Sequence, residues 1–146
     1  MIPIPDGFQP MPQADGYIGL SGPYYWRGDA SAGYAYGFAS DSRHGNPNGV
    51  LHGAAILTFI DTILGHAVVS RTGRMCATIS LTSQFVAGVP TGSWISGRAD
   101  LRRLTKTLAF LDAEARADDA LLLTATAIFR VFHDSRSRSP RQGPDT

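Results

Sequence analysis

The longest run of regular patterning covers residues 54–70, with no proline, one glycine and apolar side chains at Ile56, Leu57, Phe59, Ile60, Ile63, Leu64, Ala67 and Val68. These offsets reach all sides of a 3.6-residue turn, so the pattern predicts a helix buried on most sides. Arg71-Thr-Gly73-Arg74 ends it with basic residues and a glycine, the usual chemistry of a helix C-terminus. After that the period shortens towards two. Residues 77–85 and 94–104 alternate in part, with Gly88-Val-Pro-Thr-Gly92 as the turn between them, and 107–117 and 121–132 follow, joined by Asp118-Asp119. Strands joined by short turns are expected to pair antiparallel in sequence order.

Ahead of the helix, residues 33–40 alternate aromatic with small side chains and predict one more strand with one covered face. The Gly-, Pro- and Tyr-rich stretch before it predicts little regular structure, with residues 1–20 an irregular lead-in. From Ser135 almost no apolar side chain remains, so 135–146 cannot offset the entropy of its own ordering and is expected to be a disordered tail. Residues 1–134 then form a single α+β domain, an antiparallel sheet wrapped around one long central helix.

Composition narrows the function classes. A chain of 146 residues with 43% apolar and 17% charged side chains is an ordinary globular domain, and its net charge of +1 lacks the basic excess of a nucleic-acid binder. The N-terminus has no basic region followed by an apolar run, and no stretch reads as about 18 uninterrupted apolar residues, so a cytoplasmic protein without membrane contact is the expectation. Cys76 is the sole cysteine, which excludes an internal disulfide and a multi-cysteine metal site; it is expected to act as a small apolar strand residue. Four scattered histidines, with His66 on the helix lacking partners at ligand spacing, predict no metal. Nucleotide-binding glycine loops, a G-x-S-x-G elbow and H-E-x-x-H are all missing from the sequence, which turns attention to the helix.

Asp61 stands in the apolar helix, nine residues after His52. A carboxylate there costs several kcal/mol unless it is protonated, hydrogen-bonded or placed in a wet cleft. One reading is structural, with Asp61 accepting hydrogen bonds from a neighbouring strand or across a subunit interface. The other is catalytic. Gly53 falls where the helix begins, so its N–H is one of the donors without an intrahelical partner and can bind an oxyanion, and a glycine lets substrate approach closely. Asn46 and His52 add polar groups in the same loop. His52 reads first as a helix-entry residue whose imidazole bonds local backbone, with proton transfer as the alternative, and His44 reads as structural.

The segment Asn46-Pro-Asn-Gly49-Val-Leu-His52-Gly53, followed by Asp61, resembles the N-x-x-G-x-x-H-G-G signature and helix aspartate of hotdog-fold acyl-CoA thioesterases of the phenylacetate-degradation (PaaI-like) type. The likeness extends to Gly22-Pro-Tyr-Tyr, Thr78-Ile-Ser-Leu and Lys106-Thr-Leu-Ala-Phe110, and departs from the family at Ala54, which replaces the second glycine. It implies a hotdog fold and hydrolysis of a small or medium acyl- or aryl-acetyl-CoA to free acid and coenzyme A. No separate cofactor is implied, since coenzyme A enters as part of the substrate. Asp61 would be general base or nucleophile, Gly53 the donor that polarises the carbonyl, Asn46 a holder of water or carbonyl from the partner's side of an interface, and Thr78 the hydroxyl that assists the carboxylate. Phe85, Val86 and Ala87 would flank pantetheine, and Arg103, Thr105, Lys106 and Thr107 would lie near the nucleotide. The resemblance further implies a homodimer with sites across the interface, pairing into a dimer of dimers. Helix residues such as Phe59, Ile63 and Leu64 are expected at the pocket floor. Two rival functions are a non-catalytic acyl-CoA sensor, which need not keep Asp61, and a hotdog hydratase or dehydratase, which pairs histidine with an acidic residue in a different local pattern.

Overall fold

The computed structural model describes residues 2–12 and 15–133; the tail expected at 135–146 lies outside them. In chain order the elements are β1 (Gln9–Pro10), α1 (Tyr17–Ser21), β2 (Tyr25–Asp29), β3 (Gly33–Ala39), a 3-10 turn (Ser42–His44), α2 (Gly53–Thr72), β4 (Cys76–Phe85), β5 (Trp94–Leu104), β6 (Leu108–Ala117) and β7 (Ala120–Val131). The strands form one sheet in the order β1-β2-β3-β5-β6-β7-β4, every neighbour antiparallel, with α2 against its inner face.

Two expectations are corrected here. The stretch before residue 33 is not irregular, because it supplies α1 and two strands that extend the sheet. The segment containing Gly88 and Gly92 is also no hairpin turn: β4 pairs with β7 and β5 with β3 and β6, so the chain crosses from the edge of the sheet to its middle between them. Alternation shows that a strand has one covered face but carries no information about its partner, and here short loop length pointed to the wrong neighbour. The hairpin at Asp118-Asp119 does form, with Asp118 in the left-handed region that aspartate tolerates.

α2 begins with His52 as N-cap, its Nδ1 accepting from the Ala54 N–H at 3.0 Å, and ends at Gly73, whose φ of 67° lets its N–H donate to the Val69 carbonyl. One flank of the helix, Ile56, Phe59, Ile60, Ile63, Leu64 and Val68, is buried to 3% exposure or less. The sheet offers it a row of small residues, Ala109, Ala113, Ala115, Ala125 and Ala127. At Gly97 even a methyl group would collide, since a Cβ there would sit 2.6 Å from the Phe59 ring. By length and composition alone α2 could cross a membrane, which amends the reading that no stretch is long enough, but its bulky apolar side chains are packed on the sheet.

The opposite flank of α2 meets the sheet only at its margins, Asp61 at β4 and His66 at β2 and β3. Its side chains are smaller and half-buried, and they face a cavity closed in part by α1 and by the start of β4. A helix apolar on all sides therefore turns out to be fully packed on one side only. β4 itself is an edge strand whose exposed residues include Ile79 and Phe85.

Candidate active site

The cavity beside α2 encloses about 670 Å³ and is bordered by Asp61, Thr62 and His66 from the helix, Cys76 and Thr78 from β4, and Tyr17 from α1, among mainly apolar neighbours. A β-bulge at Ile79 shifts the register of β4 between Thr78 and Ser80. Bulges redirect neighbouring side chains. Here the Thr78 hydroxyl donates to Asp61 Oδ1 at 2.7 Å. This one bond fixes the carboxylate, and Oδ2 is left without a hydrogen bond among the described residues. The structural and catalytic readings of Asp61 thus meet: it accepts from a strand, and it does so at the wall of an open cavity. That wet, hydrogen-bonded position is what makes a carboxylate tolerable in an apolar helix.

The Cys76 thiol donates to the Gly65 carbonyl at 3.6 Å, and burial, then the Asp61 charge, push its pKa up. It stays protonated as a half-buried residue at the start of β4, which fits its expected packing role.

Gly53 is the first residue of α2, and its N–H has no acceptor among the described residues. A Cβ at this position would lie 2.8 Å from the Phe85 ring, so the glycine admits an aromatic side chain of β4 as well as leaving its donor open. Asp61 lies eight residues further along, about 12 Å at 1.5 Å of helix rise per residue. A thioester carbonyl in reach of one is out of reach of the other on the same helix.

Asn46 Oδ1 is occupied by its own loop, accepting from the N–H groups of Asn48 at 2.9 Å and Val50 at 3.2 Å, while its amide nitrogen makes no hydrogen bond among the described residues. His52 is exposed and committed to capping α2, as its helix-entry reading anticipates. His44 is buried between the Asp41 N–H and the Ser21 carbonyl and is structural. Among the described residues no group of three His, Cys, Asp or Glu side chains could hold a metal ion.

The two stretches assigned to coenzyme A fall at opposite ends of α2. Phe85 packs at Gly53, with Val86 and Ala87 exposed beside it. Arg103 lies near the end of β5 and residues 105–107 form the β5–β6 turn, which is tied to the other end by bonds from Arg74 to the Lys106 carbonyl and from the Val131 N–H to the Thr107 carbonyl. The Thr105 hydroxyl is used within this turn, accepting from the Leu108 N–H, whereas Arg103 and Lys106 are exposed.

The pocket floor differs from expectation. Phe59, Ile63 and Leu64 are fully buried against the sheet, and the cavity is walled instead by Leu57, Thr62, His66 and Val69. Sequence reasoning also missed Tyr17 and Ile18, because the segment carrying them read as irregular. It treated His66 only as a metal ligand.

A family model of the thioesterase superfamily matches residues 48–124, from the Asn46 loop through α2 to β7. A Pseudomonas aeruginosa protein with a provisional esterase name is 26% identical over 133 residues, 90% of this chain and 99% of that protein. Among solved structures, a conserved protein of P. aeruginosa superposes with a TM-score of 0.74 at 20% identity, covering 82% of this chain and 95% of its own. A phenylacetic acid degradation-related protein of Ralstonia eutropha, assigned as a thioesterase, gives 0.67 at 25% identity and covers 73% and 83%. A hypothetical thioesterase of Streptococcus pneumoniae, solved with coenzyme A, gives 0.70 at 16% identity and covers 75% and 85%. The antiparallel sheet around one long helix is the hotdog fold of these proteins, and with more than half of its residues inside the family match the chain belongs to the thioesterase superfamily as a thioester hydrolase.

Proposed function

We propose that the protein hydrolyses an acyl-CoA to a free carboxylic acid and coenzyme A in a site shared by two copies of the chain. The observation that carries the chemistry is the Asp61 carboxylate, held through Oδ1 by Thr78 and open at Oδ2, on the wall of a cavity large enough for an acyl group. Oδ2 accepts a proton from water as the water oxygen attacks the thioester carbonyl, and the carbonyl oxygen becomes an oxyanion. A backbone N–H at a helix start stabilises that oxyanion by about 3 kcal/mol. Collapse of the intermediate breaks the C–S bond, and the coenzyme A thiolate takes up the proton. Coenzyme A enters as part of the substrate, and no other cofactor has a place in this scheme.

The pairing of chains follows from the span between Gly53 and Asp61. The donor for the oxyanion over one chain's Asp61 has to come from elsewhere, and Gly53 of a second copy offers a backbone N–H at a helix start that has no acceptor among the described residues. Phe85, Val86 and Ala87 lie at one end of α2 and Arg103 and Lys106 at the other, so a coenzyme A that uses both groups would take them from two chains. The free edge of β4, with exposed Ile79 and Phe85 and the adjacent Val86, suits a sheet continued into a second copy. Association of such dimers into a tetramer, and residence in the cytoplasm, are parts of the proposal that rest on the family resemblance and the sequence alone.

The test is thiol release from short-, medium- and long-chain and aromatic acyl-CoAs by wild type and Asp61→Ala, with the fold of the variant checked by circular dichroism. Turnover by wild type and its near-complete loss in a folded variant support the proposal. Binding of acyl-CoA with no turnover of any member of the panel would make the protein a sensor and Asp61 a structural residue.

A further inference from the structure

Short helices do not hold their own shape, and α1 is only five residues long. None of its residues is buried, and Gly16 ahead of it gives no side-chain cap. It is held instead by a cluster that the hydrolytic scheme does not use. Arg43 Nη1 donates to the Leu20 carbonyl at 3.0 Å, Arg43 Nη2 to the Gly22 carbonyl at 3.0 Å and His44 Nε2 to the Ser21 carbonyl at 2.6 Å. Successive carbonyls at the C-terminal end of α1, where a helix runs out of its own donors, are thus all taken by side chains of two adjacent residues. Asp41 aims both of them. Its carboxylate accepts from Arg43 Nε at 3.1 Å and Nη2 at 2.9 Å, and its N–H donates to His44 Nδ1 at 3.0 Å, which leaves the ring proton on Nε2 for Ser21.

α1 adds no side chain to the core, and what it faces is the cavity. Tyr17 and Ile18 border that cavity together with Asp61 and Thr78. The Tyr17 hydroxyl is paired with Thr58 at 3.3 Å, one turn before Asp61 on the same flank of α2. Tyr17 is 67% exposed and Ile18 39%, so both keep apolar surface that a hydrocarbon chain in the cavity would cover. The clamp itself stands apart from the reacting groups. Asp41, Arg43 and His44 do not border the cavity, and the loop that follows them is closed by its own bonds, from the Asn46 N–H to the Val50 carbonyl and from the Leu51 N–H to the Val89 carbonyl.

We propose that α1 is the wall that reads the length of the acyl chain, and that Arg43, aimed by Asp41, is the positioning residue that sets this wall. The proposal rests on the thioesterase reading of the same cavity. Acyl carbons beyond the thioester gain affinity by covering Ile18 and the Tyr17 ring, at up to about four-fold for each methylene buried. The reacting carbonyl stays with Asp61, so displacing α1 weakens the binding of longer acyl groups and leaves the chemical step alone. Arginine suits this role because its planar fork serves two carbonyls and a carboxylate at once, which the single ammonium of lysine does not.

The experiment measures kcat and KM for butanoyl-, hexanoyl-, octanoyl- and decanoyl-CoA with wild type, Arg43→Ala, Arg43→Lys, Ile18→Ala and the double variant Arg43→Ala with Ile18→Ala. Arg43→Ala is expected to raise KM about ten-fold for decanoyl-CoA and no more than about two-fold for butanoyl-CoA, with kcat within a few-fold throughout. Arg43→Lys keeps a cation beside Asp41 without the fork and is expected to show the same pattern. Ile18→Ala should raise KM for decanoyl-CoA about five-fold, and the double variant should match Arg43→Ala alone, because Ile18 contributes only while α1 is in place. A KM raised equally for all four substrates, a loss confined to kcat, or effects at the two positions that simply multiply would overturn the role of Arg43 and leave hydrolysis standing. Ile18 lies on a helix without buried residues, so its substitution tests the wall whether or not an Arg43 variant folds, and an unchanged decanoyl-CoA KM in Ile18→Ala overturns the proposal. Release of thiol from none of the four substrates by wild type overturns the thioesterase reading as well.

Discussion

The two flanks of α2 have opposite characters although apolar side chains occur all round it in sequence. On one, Ile56, Phe59, Ile60, Ile63, Leu64 and Val68 pack against alanines and a glycine of the sheet. On the other, Thr58, Asp61, Thr62 and His66 border a cavity, and the threonine hydroxyls turn back to helix carbonyls one turn earlier. The packed flank holds the helix in place through burial, worth about 1.5–3 kcal/mol for each large side chain. The open flank can therefore carry the Asp61 carboxylate at no risk to the core. Stability and chemistry are divided between two sides of one helix, and substitutions at Phe59 and at Asp61 should each report on one of the two.

The largest expected effect is at Asp61. Asp61→Asn should lower kcat for thioester hydrolysis by about 10²–10⁴-fold, the usual contribution of a general base, with a melting temperature close to wild type. Phe59→Ala on the packed flank should do the reverse. It should cost about 3–5 kcal/mol in a denaturant titration while the folded fraction keeps its kcat/KM, and a large loss of activity per folded molecule would show that the flanks are not separable. Thr78→Val removes the hydroxyl that orients the carboxylate and should lower kcat by about ten-fold with KM little changed, an order of magnitude set by one hydrogen bond.

The smallest effect is a pH dependence of stability. Because burial lowers the His66 pKa from 6.5 in the folded chain, the unfolded chain binds the proton more readily. The stability linked to His66 is thus fully present above about pH 6.5 and is lost as the pH falls through the folded pKa. Thermal melts between pH 7 and 5 should show this slope in wild type, and His66→Phe with Tyr36→Phe should flatten it. An unchanged slope in the variant would assign it to other groups.

Much of this division was present in the sequence, but not its direction. α2, β5 and the hairpin at Asp118 could be placed because period and turn residues are local signals. The Asn46–Gly53 loop with Asp61 and Thr78 could be placed through the family resemblance. Which flank of α2 meets the sheet could not, because Phe59 and Leu57 are equally apolar and only the sheet's small residues decide between them. The pairing of β4 with β7 was hidden for a related reason, since strand neighbours depend on long-range closure rather than on the loop between them. The contact that holds His66 needed the position of Tyr36, thirty residues away in sequence.

The central claim, that Asp61 of one chain works with Gly53 of another, is tested most directly by a mixed pair of two inactive variants. Gly53→Pro deletes the N–H at the first helical position, where proline is tolerated, and His52 already has the extended φ of −68° and ψ of 133° suited to a residue before proline. The Phe85 ring beside it is exposed and can move aside. Gly53→Pro and Asp61→Asn chains, co-expressed with different affinity tags and purified as the mixed pair, would contain one site with both groups intact and one with neither. The pair should recover about half of wild-type thiol release, as one of its two symmetric sites is complete. A mixed pair as inactive as its parents would contradict a site shared between chains.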